Sequence, residues 1–117
     1  MIALDPIQRE LLLEGLDDYV GLWEVARDLR RFLGELPPEK IRELAMMKLR
    51  PLLQEGLILP GFPAEGGEFA AWDCDVDEAI DRINAEWRQL GRDPNVWEIC
   101  WFKNTEKGDA LARTIGG

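Results

Sequence analysis

The densest run of chemistry-bearing side chains is Asp73-Cys74-Asp75-Val76-Asp77, which sets three carboxylates at alternate positions. That spacing matches the opening of a calcium loop, whose first, third and fifth positions supply oxygen ligands. The pattern then stops. The sixth position is Glu78, where a loop needs glycine to turn, and the twelfth is Asn84, where a glutamate would complete the coordination. As local structure the same residues are an acidic helix start, with Asp75 as N-cap and its neighbours favoured by the helix dipole. We expect no metal and no cofactor here.

Other chemistries are thinner still. The chain has no histidine, which removes imidazole acid–base catalysis, His-dependent triads and most zinc sites. Cys74 and Cys100 have no cationic neighbour in sequence that would favour a thiolate, and both are expected to stay reduced. With 23 acids a carboxylate pair for glycoside hydrolysis can always be drawn, but none lies in a recognisable motif. An enzyme is not expected. Lys40, Arg42, Lys48 and Arg50 share one amphipathic segment and could meet phosphates, although Glu39, Glu43 and Glu55 nearly balance them. Five tryptophans exceed what a small core needs. Trp72 and Trp97, beside the acidic run, are the two assigned to a partner surface, because aromatic side chains dominate interface hot spots.

Charge sharpens that assignment. The net charge is −9, and from Pro51 through Asp81 there is no lysine or arginine, while eight acids fall in the window. Such a surface repels phosphate backbones and suits a basic protein partner. At 117 residues the chain is read as a single domain over 1–117 that folds without metal or disulfide help. No apolar run approaches the ~20 residues of a membrane span. Without a signal-peptide pattern at Met1–Pro6, a cytoplasmic location is expected.

Several elements must position these groups. Asp5, Pro6 and Gln8 form a capped helix start, followed by Ile7, Leu11, Leu12 and Leu16 at helical spacing, with Gly15 fraying the end. Tyr19-Val20 is a short extended piece. A second helix covers Leu22 to Leu33, its stripe running through Leu22, Val25, Ala26, Leu29 and Phe32 or Leu33 to a stop at Gly34. Pro37-Pro38 opens a third, carrying Ile41, Leu44, Ala45, Leu49, Leu52 and Leu53, which Pro51 should kink or split. After Gly56, Leu57-Ile58-Leu59 starts a strand closed by Pro60, and a glycine- and proline-rich loop over Gly61 to Gly67 follows. Phe69 to Trp72 is a second short strand. Asp75 and Glu78 then cap a helix with Val76, Ile80, Ile83, Trp87 and Leu90 on one face, stopped by Gly91. Trp97 to Phe102 is read as a strand with Cys100 on the face opposite Ile99 and Trp101. Thr105 caps a last helix that packs through Ala110, Leu111 and Ile115.

Leu49, Leu52, Leu53, Gly56, Leu57 and Ile58 look like the end of a recognition helix, and Trp101, Phe102, Thr105, Gly108, Leu111 and Ala112 like the strand exit of many bacterial regulators. Taken together the chain resembles winged helix-turn-helix domains of small bacterial proteins. The resemblance implies an α+β fold: a three-helix core, a small antiparallel sheet, and here a helical insertion at about 61–95 in the wing region. It also implies DNA binding, as a dimer, through the helix bearing Lys40, Arg42 and Lys48. The family's basic wing is replaced here by the basic-free window, so fold analogy does not carry that activity over. The expectation is a non-enzymatic, inhibitor- or immunity-like interaction module. It would use an acidic, tryptophan-bearing face made of Trp72, Asp73, Asp75, Asp77, Asp81 and Trp97. The DNA-binding regulator is the alternative.

Overall fold

The helices begin where side chains replace missing backbone partners. A computed structural model describes residues 3–116. Helix α1, Pro6–Asp17, starts with a reciprocal box: the Gln8 amide donates to Asp5 Oδ1 at 2.8 Å, and the Asp5 amide donates to Gln8 Oε1 at 3.1 Å. Helix α4, Val76–Leu90, repeats the device with Asp75 and Glu78. Two orphan donors are satisfied at each start, which fixes both boundaries in advance of any tertiary contact. Between them lie strand β1, Val20–Gly21, helix α2, Leu22–Leu33, helix α3, Pro38–Gln54, strand β2, Ile58–Pro63, and strand β3, Phe69–Ala71. Strand β4, Trp101–Asn104, and helix α5, Glu106–Gly116, complete the described chain.

The result is α+β, with five helices and a four-stranded antiparallel sheet among the described residues, in strand order β1-β4-β2-β3. The central pairing sets Ile58 opposite Asn104 and Pro60 opposite Phe102, and β1 adds Val20 beside Phe102. Those side chains form the inner face. Behind them a single core holds Leu11 and Leu12 of α1, Val25 and Leu29 of α2, Ile41, Leu49 and Leu52 of α3, and Ile83 and Trp87 of α4. Asn104 is the polar exception on that face. Its Nδ2 donates to the Leu12 carbonyl at 2.9 Å and joins β4 to α1.

Several sequence expectations change. Helix α3 runs unbroken through Pro51. Proline removes only the bond to Met47, and the turn after it is kept by the Glu55 amide on the Pro51 carbonyl at 3.0 Å. At Gly56, φ is 68°, a conformation that suits glycine. The Leu57 amide reaches back to the Leu52 carbonyl at 2.9 Å and the Gly56 amide to Leu53 at 3.1 Å, closing the helix. Strand β2 does not end at Pro60. A strand residue's N–H and C=O point to one side, and the Pro60 carbonyl accepts from Trp72 just beyond β3. The missing N–H therefore falls where no ladder partner is needed.

Phe32 and Leu33 are 49% and 47% exposed, so the α2 stripe ends at Leu29. The last helix buries Gly108 and Ala112 while Ala110 faces outward. Trp97 to Cys100 is a turn, not a strand, because Ile99 adopts φ 67° and reverses the chain. Cys100, just before β4, is buried in the core, on the side opposite Trp101 as its spacing suggests.

Candidate functional site

The reversal before β4 builds the most exposed aromatic surface of the molecule. Arg92 forks onto Glu98 with hydrogen bonds of 2.7 and 2.9 Å, and Glu98 Oε1 also accepts from the Asn95 amide at 2.7 Å. The guanidinium, with that amide, pulls the Glu98 pKa down to about 2. This clasp holds the turn so that Trp97 projects outward, 66% exposed. Its ring lies 5.4 Å from Trp101 and 6.3 Å from Phe62, centroid to centroid. These are spacings at which tilted aromatic pairs attract.

Trp101 belongs to the open face of the sheet, opposite the core. In register it sits between Gly21 of β1 and Gly61 of β2. A side chain at Gly61 would run into the Ala70 carbonyl and come within 2.8 Å of the Phe69 ring. Phe69 in turn stacks at 5.0 Å on Tyr19, whose hydroxyl donates to the Gly67 carbonyl at 2.7 Å. Leu59, on the same face as Trp101, is 42% exposed. The open face thus carries apolar and aromatic side chains from Tyr19 to Trp97, with one exposed cation, Lys103, opposite Leu59.

The residues named from sequence do not all meet there. Trp97 does. Trp72 is half-buried against the core and roofed by the Arg82 guanidinium at 3.9 Å, a cation–π contact. Arg82 also pairs with Glu86 at 2.9 Å. Of the acids, Asp75 is the α4 cap and Asp77 pairs with Arg50. Asp73 and Asp81 are exposed and make no ion pair among the described residues. A small hollow of about 80 Å³ joins Asp75 and Cys74 to Leu59 and Pro60, so the acidic helix start borders the apolar sheet. Leu59, Phe62 and Trp101 were missed in sequence. Their only signal was the two glycines that, once the strand order is known, flank Trp101.

The α3 cations are mostly engaged. Lys48 meets Asp5 at 2.6 Å, Lys40 is 3.9 Å from Glu43, and Arg50 pairs with Asp77. Burial alone would raise the Asp5 pKa, but the Lys48 ammonium and the Gln8 amide outweigh it and hold it below its usual value. Helix α4 packs antiparallel along α3, with Asp77 near Arg50 at one end and Trp87 near Arg42 at the other.

Titratable groups elsewhere are enclosed or engaged. Glu14 and Asp28 both meet the same Arg27 nitrogen at 3.2 Å. Burial first and the Asp28 carboxylate second raise the Glu14 pKa to about 8, against the pull of Arg27. Asp28 is fully buried, and neither acid lines the hollows beside Arg42, Leu59 or Tyr19. Burial pushes the Cys100 thiol up to about 12 and also raises Cys74, which leaves both poor nucleophiles. No group of three or more potential metal ligands gathers among the described residues, and no helix there is long and apolar enough to cross a membrane. No protein-family model matches the chain, and comparison with curated proteins and with solved structures finds no match.

Proposed function

We propose that this chain is a non-enzymatic protein-interaction module that binds a basic protein through the open face of its sheet. Trp97, Trp101 and Leu59 form the contact, with Phe62 beside Trp97 at the end of the sheet, and Asp73, Asp81, Glu65 and Glu68 as an acidic rim. The observation that carries this reading is Trp97, a large aromatic held outward on a clasped turn and continuous with an aromatic sheet face. Large exposed aromatics beside a rigid support are what interface hot spots are made of. The rim comes from the basic-free window, so the field around the patch favours a cationic partner. One concrete form is an inhibitor or immunity-like protein that covers a basic cleft.

The scaffold proposed for this module is winged-helix-like. Three helices precede the β2–β3 hairpin, β1 lies between α1 and α2 in sequence and pairs with β4, and α4 is inserted between β3 and β4. The family's DNA-binding activity is not proposed with it, since three of the four α3 cations are engaged by carboxylates.

The test uses a photo-crosslinking residue at Val96, itself exposed, in cells of the source organism, followed by binding measurements on the purified captured protein. Trp97→Ala should weaken that binding by about tenfold or more, in the range of hot-spot losses. An affinity unchanged by Trp97→Ala would overturn the proposal.

A further inference from the structure

A second site lies between the start of α3 and the end of α4, away from the aromatic face. Arg42, Arg88 and Arg92 line a cleft of about 280 Å³ there, together with Glu39, Gly91 and the floor residue Trp87. Three guanidinium groups around one hollow are unexpected in a protein of net charge −9, where 23 acids are available as partners. Arg92 is taken by Glu98. Arg42 and Arg88 pair with no carboxylate among the described residues, although Glu39 lines the same cleft.

Two hydrogen-bond donors in the lining are also unused. Trp87 is only 2% exposed and its Nε1 has no acceptor, and the buried Nε of Arg42 has none either. Buried donors are normally satisfied, and leaving one unpaired is costly. The Trp87 indole and the unpaired guanidinium groups of Arg42 and Arg88 make a stretch of wall that donates, with Glu39 the one carboxylate on the lining. The complement of such a wall is an oxyanion, and the planar fork of arginine suits a carboxylate or phosphate group bidentately.

We infer that this cleft binds the carboxylate or phosphate group of a small organic anion, held by Arg42 and Arg88 over the Trp87 indole. Its volume admits one such group with a compact apolar or aromatic body. It does not provide a row of phosphate contacts, since Lys40, Lys48 and Arg50 on the same helix are already paired.

The experiment is a titration of the full chain with phenyl phosphate, benzoate and inorganic phosphate, followed by the indole and guanidinium N–H resonances. An organic anion should shift the Trp87 indole and Arg42 Nε signals saturably, and inorganic phosphate should do so more weakly because it lacks the body. Comparison of benzoate with phenyl phosphate identifies the headgroup. Arg42→Lys keeps the charge and loses the fork, and Arg88→Ala removes a solvent-facing cation, so the second should fold even where the first does not. Each should weaken binding about tenfold, while Arg113→Ala on α5 leaves it unchanged. The inference fails if no probe shifts these signals at millimolar concentration, or if Arg88→Ala binds as the parent does. It fails equally if duplex DNA at physiological salt outcompetes phenyl phosphate for the same signals, which would make the cleft a nucleic-acid contact.

Discussion

Glu14 shows how one side chain can tie stability to pH. Its carboxyl sits against Asp28 in a half-buried position, and burial with the neighbouring charge lifts its pKa from 4.5 to about 8. An acid whose pKa is raised by folding keeps its proton longer in the folded chain. Its contribution is complete below about pH 4.5 and is lost as pH rises towards 8, because only the unfolded chain has ionised in that window. Glu24, raised chiefly by burial, acts in the same sense. Asp5, held low, opposes them only at the acid end. Urea unfolding between about pH 5 and about pH 8 should therefore show stability falling with pH, and Glu14→Gln should flatten that fall. Equal slopes in parent and variant would show that Glu14 ionises normally. The buried Asp28 and the α2 arginines around it were invisible in sequence, where Asp28 is one acid of 23 and nothing marks it as enclosed.

Elements were legible wherever a local device fixes them. The capping boxes at Asp5 and Asp75 and the glycine stop at Gly56 belong to a few consecutive residues, and the helices they bound are where the pattern puts them. The failures lie where the decisive partner is distant. The apolar run Trp97 to Phe102 has strand composition, but Glu98 is clasped by Arg92 and Ile99 turns, so only its last two residues join β4. Nothing in the order of residue types reveals that clasp, and without it the projection of Trp97 and its stack on Trp101 could not be foreseen. Gly15 is a sharper case. Its sequence position suggests a weak helix end, yet α1 continues to Asp17, and a Cβ at Gly15 would come within 2.6 Å of Asn104 Cγ. Helix propensity alone predicts that Gly15→Ala stabilises by up to about 1 kcal/mol. Because Asn104 is pinned to the Leu12 carbonyl, the methyl group cannot be accommodated without breaking that bond. Gly15→Ala should thus lower the melting temperature, and a rise would show that α1 and β4 can separate cheaply.

At the scale of the molecule, charge range decides how the proposed interface works. The described chain extends 36 × 32 × 25 Å. At low salt the whole charge of −9 steers an approaching basic partner, whereas at physiological salt only acids within ~8 Å of the contact do. The proposal places Asp73 and Asp81 in that range; both are exposed and free of ion pairs among the described residues. Glu10, on α1, lies behind the sheet, because α1 is hydrogen-bonded to the inner-face residue Asn104. With the partner captured through Val96, Asp73→Asn with Asp81→Asn should slow association several-fold at physiological salt, and Glu10→Gln should slow it only at low salt. Trp97→Ala, which removes apolar contact and no charge, should act instead on dissociation. Stopped-flow traces at two ionic strengths separate the three. If Glu10→Gln slowed association at physiological salt as much as the paired change, the partner would be seated elsewhere. The aromatic face would then be an exposed apolar surface without the role assigned to it.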